Sequence, residues 1–219
     1  LHRLIRRQRQ MCIRDRIKHG EVKVSKKILY GEMDIPLSEK GKRDSRRLVE
    51  ALSKFEIKAV YTSPLKRCLY PAEILSKKLK ISLQIRKDLK EINFGEWTGK
   101  TWEELADNLE FWNFYKDENF KAPEGESLKD LRKRAKKFLE YFKKEAPNGL
   151  TVVFTHAGII RSVFVEIFNL STSQFFNIEV LPLKINLFEF YPDEIVVLKL
   201  WNADIQSFKK IFKIMVKKW

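Results

Sequence analysis

Apolar and polar positions alternate along this chain in two different periods. Residues 38–54 carry apolar side chains at helical spacing behind the turn Asp34-Ile35-Pro36-Leu37-Ser38, with Ser38 placed to cap a helix. Ile57, Ala59, Val60 and Tyr61 form a short apolar strand that ends at Thr62-Ser63-Pro64. A helix over 65–79 follows, with Leu65, Cys68, Ala72, Leu75 and Leu79 on one face. Residues 81–85 read as another strand, and 101–116 as an aromatic-rich helix. Ser127-Leu128-Lys129-Asp130 is a capping box opening a helix to about Ala146. Its apolar face is Leu128, Leu131, Ala135, Phe138, Leu139 and Phe142. After the turn Pro147-Asn148-Gly149, residues 150–155 form a continuous apolar run, the mark of a strand buried inside a parallel sheet. Helix resumes at Gly158. Residues 185–191 and 195–201 then read as an antiparallel pair around Pro192-Asp193.

Strands alternating with helices predict an α/β architecture with a mainly parallel sheet. No Gly-, Ser- or Pro-rich linker divides the chain and no repeat is present, so one main domain is expected. In such sheets a site lies at the carboxyl ends of the strands.

Composition adds bounds. The 219 residues are 44% hydrophobic and 33% charged, a globular balance long enough for a real core. The net charge of +15 invites a nucleic-acid or membrane reading. Its distribution argues otherwise. Residues 1–16 hold six Arg and one Asp, and residues 208–219 hold five Lys and no acid. Each end therefore carries +5, which leaves +5 of the +15 for residues 17–207. The division expected is a basic arm over 1–16, a main domain over 17–207 and a basic amphipathic segment over 208–219. The arm shows no regular period, and its run Arg-Gln-Arg-Gln-Met-Cys-Ile-Arg-Asp-Arg resembles translated adapter sequence. A disordered arm and a non-native stretch are the two readings of it. In the last segment Phe208, Ile211, Phe212, Met215 and Trp219 share a face, which reads as a final helix packed on the domain ahead of a membrane-surface helix. No run is long enough to span a membrane, and two Cys with three His make neither a disulfide framework nor a structural zinc site. A reducing, cytoplasmic setting is expected.

Four loops hold candidate chemistry: Lys18-His19-Gly20-Glu21, Thr62 to Arg67, Leu89 to Trp97, and Thr155 to Arg161. Singly, His19 reads as a surface histidine, Arg67 as an ion-paired helix residue and Glu91 as an exposed carboxylate. His156, after a buried strand, must be satisfied or functional.

Together these runs resemble the histidine phosphatase superfamily, the phosphoglycerate mutase-like family. Lys18-His19-Gly20-Glu21 is similar to its Arg-His-Gly-Glu motif. Ser63-Pro64-Leu65-Lys66-Arg67 through Ala72-Glu73 is similar to its second element. Glu91 with Gly95, Trp97 and Gly99 matches the third, and His156-Ala157-Gly158 the last. Three stretches look closest to α-ribazole phosphatases of cobalamin assembly. They are residues 28–38 with Tyr30-Gly31, residues 91–102, and Pro123-Glu124-Gly125-Glu126-Ser127.

The resemblance implies a three-layer α/β/α sandwich and a metal-independent phosphomonoesterase without a cofactor. It implies His19 as the nucleophile that becomes a phosphohistidine, and Glu91 as proton donor and acceptor. Arg67, Lys18, His156 and Ser25 would bind phosphate, with Arg67 and His156 counted in the catalytic set. It implies a small phosphorylated substrate, with no nucleic-acid or membrane partner and no oligomeric state specified. Lys18 stands where the family has Arg, a point charge in place of a planar fork. Ser25 stands where many members have Asn. Residues 14–18, Arg-Asp-Arg-Ile-Lys, put charges into a strand expected to be central and buried, which is costly. The alternatives are a broad-specificity phosphatase, a phosphoglycerate mutase, and a non-catalytic phosphate-ligand-binding protein weakened at Lys18. A nucleic-acid binder ranks last.

Overall fold

The computed structural model describes residues 12–24, 27–191 and 194–217 of the 219. In chain order the elements are β1 (Cys12–Lys18), α1 (Glu39–Leu52), β2 (Ile57–Thr62), α2 (Lys66–Leu79), β3 (Leu83–Ile85), α3 (Trp102–Leu105), α4 (Leu109–Lys116), α5 (Leu128–Glu145), β4 (Gly149–Thr155), α6 (Ala157–Ile167), β5 (Ile185–Phe190), β6 (Val196–Ala203) and α7 (Ile205–Lys217). The six strands form one sheet in the order β3-β2-β4-β1-β5-β6. β1, β2, β3 and β4 are mutually parallel; β5 runs antiparallel to β1, and β6 antiparallel to β5.

Successive strand side chains point to opposite faces, and each face has its own core. Ile17, Val60, Val152, Phe154 and Leu187 pack with Leu48, Val49 and Leu52 of α1, Cys68, Ala72 and Leu75 of α2, and Phe208 and Met215 of α7. Tyr61, Val153, Phe188 and Phe190 pack on the other face with α5 and α6. The architecture is the expected α/β/α sandwich. Ser38 caps α1 through Gly41 N, and the Ser127–Asp130 capping box opens α5.

Several expectations shift. The helix expected over 101–116 is two helices, because Asn108 leaves helical geometry and its side chain caps the second at Phe111 N. The third strand begins at Leu83, not residue 81. The charged segment 14–18 lies in a fully paired central strand, which begins at Cys12 and so crosses the boundary drawn after residue 16. Arg16 is completely buried there. Its guanidinium lies 5.0 Å from the Phe188 ring centroid and 5.8 Å from those of Phe142 and Phe190, so the ring faces offset part of its desolvation. Helix α7 starts at Ile205 and packs Phe208 against Phe55 at 4.9 Å between centroids, so its apolar face is turned to the domain. Residues 1–11, the Pro192-Asp193 turn and Trp219 lie outside the described residues. No helix among the described residues is long and apolar enough to cross a membrane.

Candidate active site

Sheet register determines where the chemistry gathers. Lys18 of β1 pairs with Thr155 of β4, and Thr62 of β2 pairs with Phe154. The residues that follow, His19, Ser63 and His156, therefore emerge side by side at three adjacent strand ends. His19 N donates to Thr155 O at 3.1 Å, and Ser63 N to Phe154 O at 3.0 Å. Arg86 N donates to Thr62 O and so brings the next loop, which carries Glu91, to the same edge.

His19 is almost fully buried. Its Nδ1–H donates to its neighbour's carbonyl, Gly20 O, at 2.8 Å, which assigns the lone pair to Nε2. Burial first, then the positive charges of Arg67 and Lys18, push the imidazole pKa down to about 3, against an opposing pull from the Gly20 hydrogen bond. The ring is therefore neutral at physiological pH. The His156 ring lies 5.3 Å away, centroid to centroid. His156 is fully buried, with Nε2 2.8 Å from Ser63 Oγ, and burial and Arg67 hold it well below the ordinary histidine range. Cys68 Sγ lies 3.5 Å from the same nitrogen; burial pushes this thiol up, so it stays protonated.

Arg67, in the first turn of α2, is also completely buried. Its guanidinium donates to Gly31 O at 2.6 Å and to Met33 O, and lies 5.2 Å from the Tyr30 ring centroid. Glu91 follows the short 3-10 turn Lys87–Leu89. Its Oε2 accepts from Gly158 N, in the first turn of α6, at 3.2 Å. A Cβ at Gly158 would stand 2.2 Å from Glu91 Oε1, so a side chain there would displace the carboxylate. Lys18 reaches Val180 O at 3.2 Å, and its ammonium pKa is lowered mainly by burial, with Glu91 pulling the other way.

A cavity of about 180 Å3 opens beside these groups. Lys18, His19 and Glu91 line it together with Tyr30, Gly158 and Arg161. Much of the remaining wall is apolar: Ile28, Leu29, Phe94, Phe114, Phe175 and Phe176. His156 lies beside His19 and Arg67 beside Tyr30, and neither is among the residues that line the cavity. The structure thus brings together His19, Glu91, His156, Arg67 and Lys18, and Ser25 lies outside the described residues. Arg161 was not singled out from the sequence. It donates to Ile178 O at 2.6 Å, and burial lowers its pKa. Its place three residues after Gly158, on the helix that follows the second histidine, was the available signal. The aromatic wall had none, since it is assembled from segments far apart in sequence. Among the described residues no group of three or more His, Cys, Asp or Glu could hold a metal ion.

Comparison with known proteins adds an independent line. The model of the histidine phosphatase superfamily (branch 1) matches residues 17–204. Phosphoserine phosphatase 1 of Hydrogenobacter thermophilus is 29% identical over 150 residues, 67% of this chain and 71% of its own length. The metal-independent phosphoserine phosphatase of Arabidopsis thaliana is 29% identical over 164 residues, 72% of this chain and 69% of its own. Among solved structures, the α-ribazole phosphatase from Shigella flexneri superposes with a TM-score of 0.78 at 17% identity, covering 87% of this chain and 96% of its own.

Proposed function

From the premise that the chain belongs to branch 1 of the histidine phosphatase superfamily, we propose that it hydrolyses small phosphate monoesters through a phosphohistidine on His19. The observation that carries this is His19 itself: neutral, anchored through Nδ1 on Gly20 O, and lining one cavity with Glu91.

The phosphoryl group is held by Arg67, Lys18 and His156, which neutralise its charge so that a nucleophile can approach. His19 Nε2 attacks phosphorus, and the bond to the ester oxygen breaks. Glu91 gives its proton to the departing oxygen. The resulting carboxylate takes a proton from water, whose oxygen attacks the phosphohistidine. Inorganic phosphate leaves and His19 is restored. Positioning and charge supply most of the acceleration, as in phosphoryl transfer generally, and no step uses a metal.

The substrate reading is α-ribazole 5'-phosphate, of cobalamin biosynthesis. Tyr30 and Gly31, from the run that resembles those phosphatases, line the cavity, and the wall of Leu29, Phe94, Phe114 and Phe176 suits a leaving alcohol that carries an aromatic ring. The second reading is phosphoserine, favoured by the two cations Lys18 and Arg161, which offer a partner for a carboxylate on the substrate.

Turnover of p-nitrophenyl phosphate in excess EDTA tests the activity. His19→Ala is expected to abolish it, and persistent turnover in that variant would overturn the nucleophile. No turnover even in Lys18→Arg would favour a non-catalytic phosphate-binding protein. Comparing kcat/KM for α-ribazole phosphate, phosphoserine and 3-phosphoglycerate decides among substrates.

A further inference from the structure

We propose that Arg134, held by Glu126, is a positioning residue that fixes the Glu91 loop for proton transfer; this rests on the reading of Glu91 as proton donor. Arg134 lies on α5, outside the cavity, and touches no reacting group. Its guanidinium donates to three carbonyls of the loop: Asp88 O at 3.1 Å, Lys90 O at 2.9 Å and Glu91 O at 3.3 Å. The same group pairs in a bidentate fork with Glu126, Nε to Oε1 at 2.8 Å and Nη2 to Oε2 at 2.7 Å. Glu126 Oε2 also accepts from Asn93 N at 3.0 Å. One ion pair thus grips the loop on both sides of the Glu91 side chain.

The grip belongs to a wider joint. Glu126 N donates to Asn93 O, and Glu96 N to Pro123 O, both at 2.9 Å. The two loops lie so close that a Cβ at Gly95 would stand 1.8 Å from Pro123 O. On the far side, Thr155 Oγ1 donates to Leu89 O at 2.9 Å and ties the loop to the strand end that precedes His156. These contacts hold the loop backbone while the side chains of Glu91, Ile92 and Phe94 reach the cavity. Arginine suits the task because its planar fork serves several acceptors in fixed directions, which a lysine ammonium does not.

A proton donor matters most when the leaving oxygen is basic. The test compares an alkyl phosphate with p-nitrophenyl phosphate, whose leaving group departs with little need of a proton. Each variant is read as the ratio of its kcat/KM values on the two substrates, in which the fraction of folded protein cancels. Glu91→Gln is expected to lose far more on the alkyl ester. Arg134→Met is expected to show the same selectivity, with a loss of about tenfold to a hundredfold on the alkyl ester and little on the aryl ester. In the Glu91→Gln background Arg134→Met should add less than about twofold, because the two residues act as one unit. Glu126→Gln, which keeps the volume of the pair, should shift the ratio the same way, and Arg134→Lys should restore it only in part. A selective Glu91→Gln with an unchanged ratio in both Arg134→Met and Glu126→Gln overturns the positioning role. An unselective Glu91→Gln overturns the underlying reading of Glu91 instead.

Discussion

His19 and Glu91 owe their chemistry to neighbours one or two atoms away. The backbone carbonyl of Gly20 selects the His19 tautomer, and burial keeps the ring neutral. The unfolded imidazole titrates near 6.5 and the folded one near 3, so between those values the unfolded chain binds the extra proton. This contribution to stability is complete above pH 6.5 and is lost as the pH falls toward 3. Urea melts over that window should show stability declining on acidification, with a shallower decline in His19→Gln. By the same shift, kcat/KM should have no His19 limb near pH 6.5, since that profile reports the free enzyme. At Glu91 the decisive neighbour is Gly158. Ala is the better helix former, so a purely helical account expects Gly158→Ala to stabilise. The 2.2 Å approach to Glu91 Oε1 predicts the opposite emphasis. kcat should fall by about a hundredfold through displacement of the carboxylate, while the melting temperature moves only slightly.

Helix α5 links local sequence to the site. Its start is written in four residues, Ser127 to Asp130, whose reciprocal side-chain bonds satisfy the end of the helix. Its apolar face, from Leu128 to Phe142, is legible as a period of three and four. What that period does not show is that Arg134, half-buried beside that face, grips the loop of Glu91. Losing the cap with Ser127→Ala should cost about 1 kcal/mol, seen as a fall of roughly 3 °C in melting temperature. Strand β1 is the reverse case. Its residues show no strand pattern, yet β4 on one side and β5 on the other pair with it along its length. Tertiary pairing overrides local preference there, and the rings around Arg16 accommodate a charge that sequence reasoning placed as a defect.

For the whole molecule, the order β3-β2-β4-β1-β5-β6 places β1 between the last parallel strand and the antiparallel pair. Removing residues 1–16 would delete most of that strand and split the sheet. Such a truncation should lose cooperative unfolding by calorimetry, whereas a merely appended arm would leave the transition intact. Charge follows the same division, since the +15 falls mostly on the two ends and residues 17–207 carry +5 of it.

By itself the sequence determined the alternation of strands and helices, the capped helix starts, and the four short runs that hold His19, Arg67, Glu91 and His156. These are local matters, dictated by side-chain period, turn residues and helix-end hydrogen bonding. Tertiary structure alone decided how those runs meet. Parallel register set three strand ends level, so that residues as distant as His19 and His156 face each other at 5.3 Å. It also made a cavity wall from Leu29, Phe94, Phe114 and Phe176, gave Arg134 its hold on the Glu91 loop, and turned a charged, patternless segment into the middle of the sheet. The physical reason is common to all of these: hydrogen-bond register and burial act between segments distant along the chain, and no window of neighbouring residues contains them.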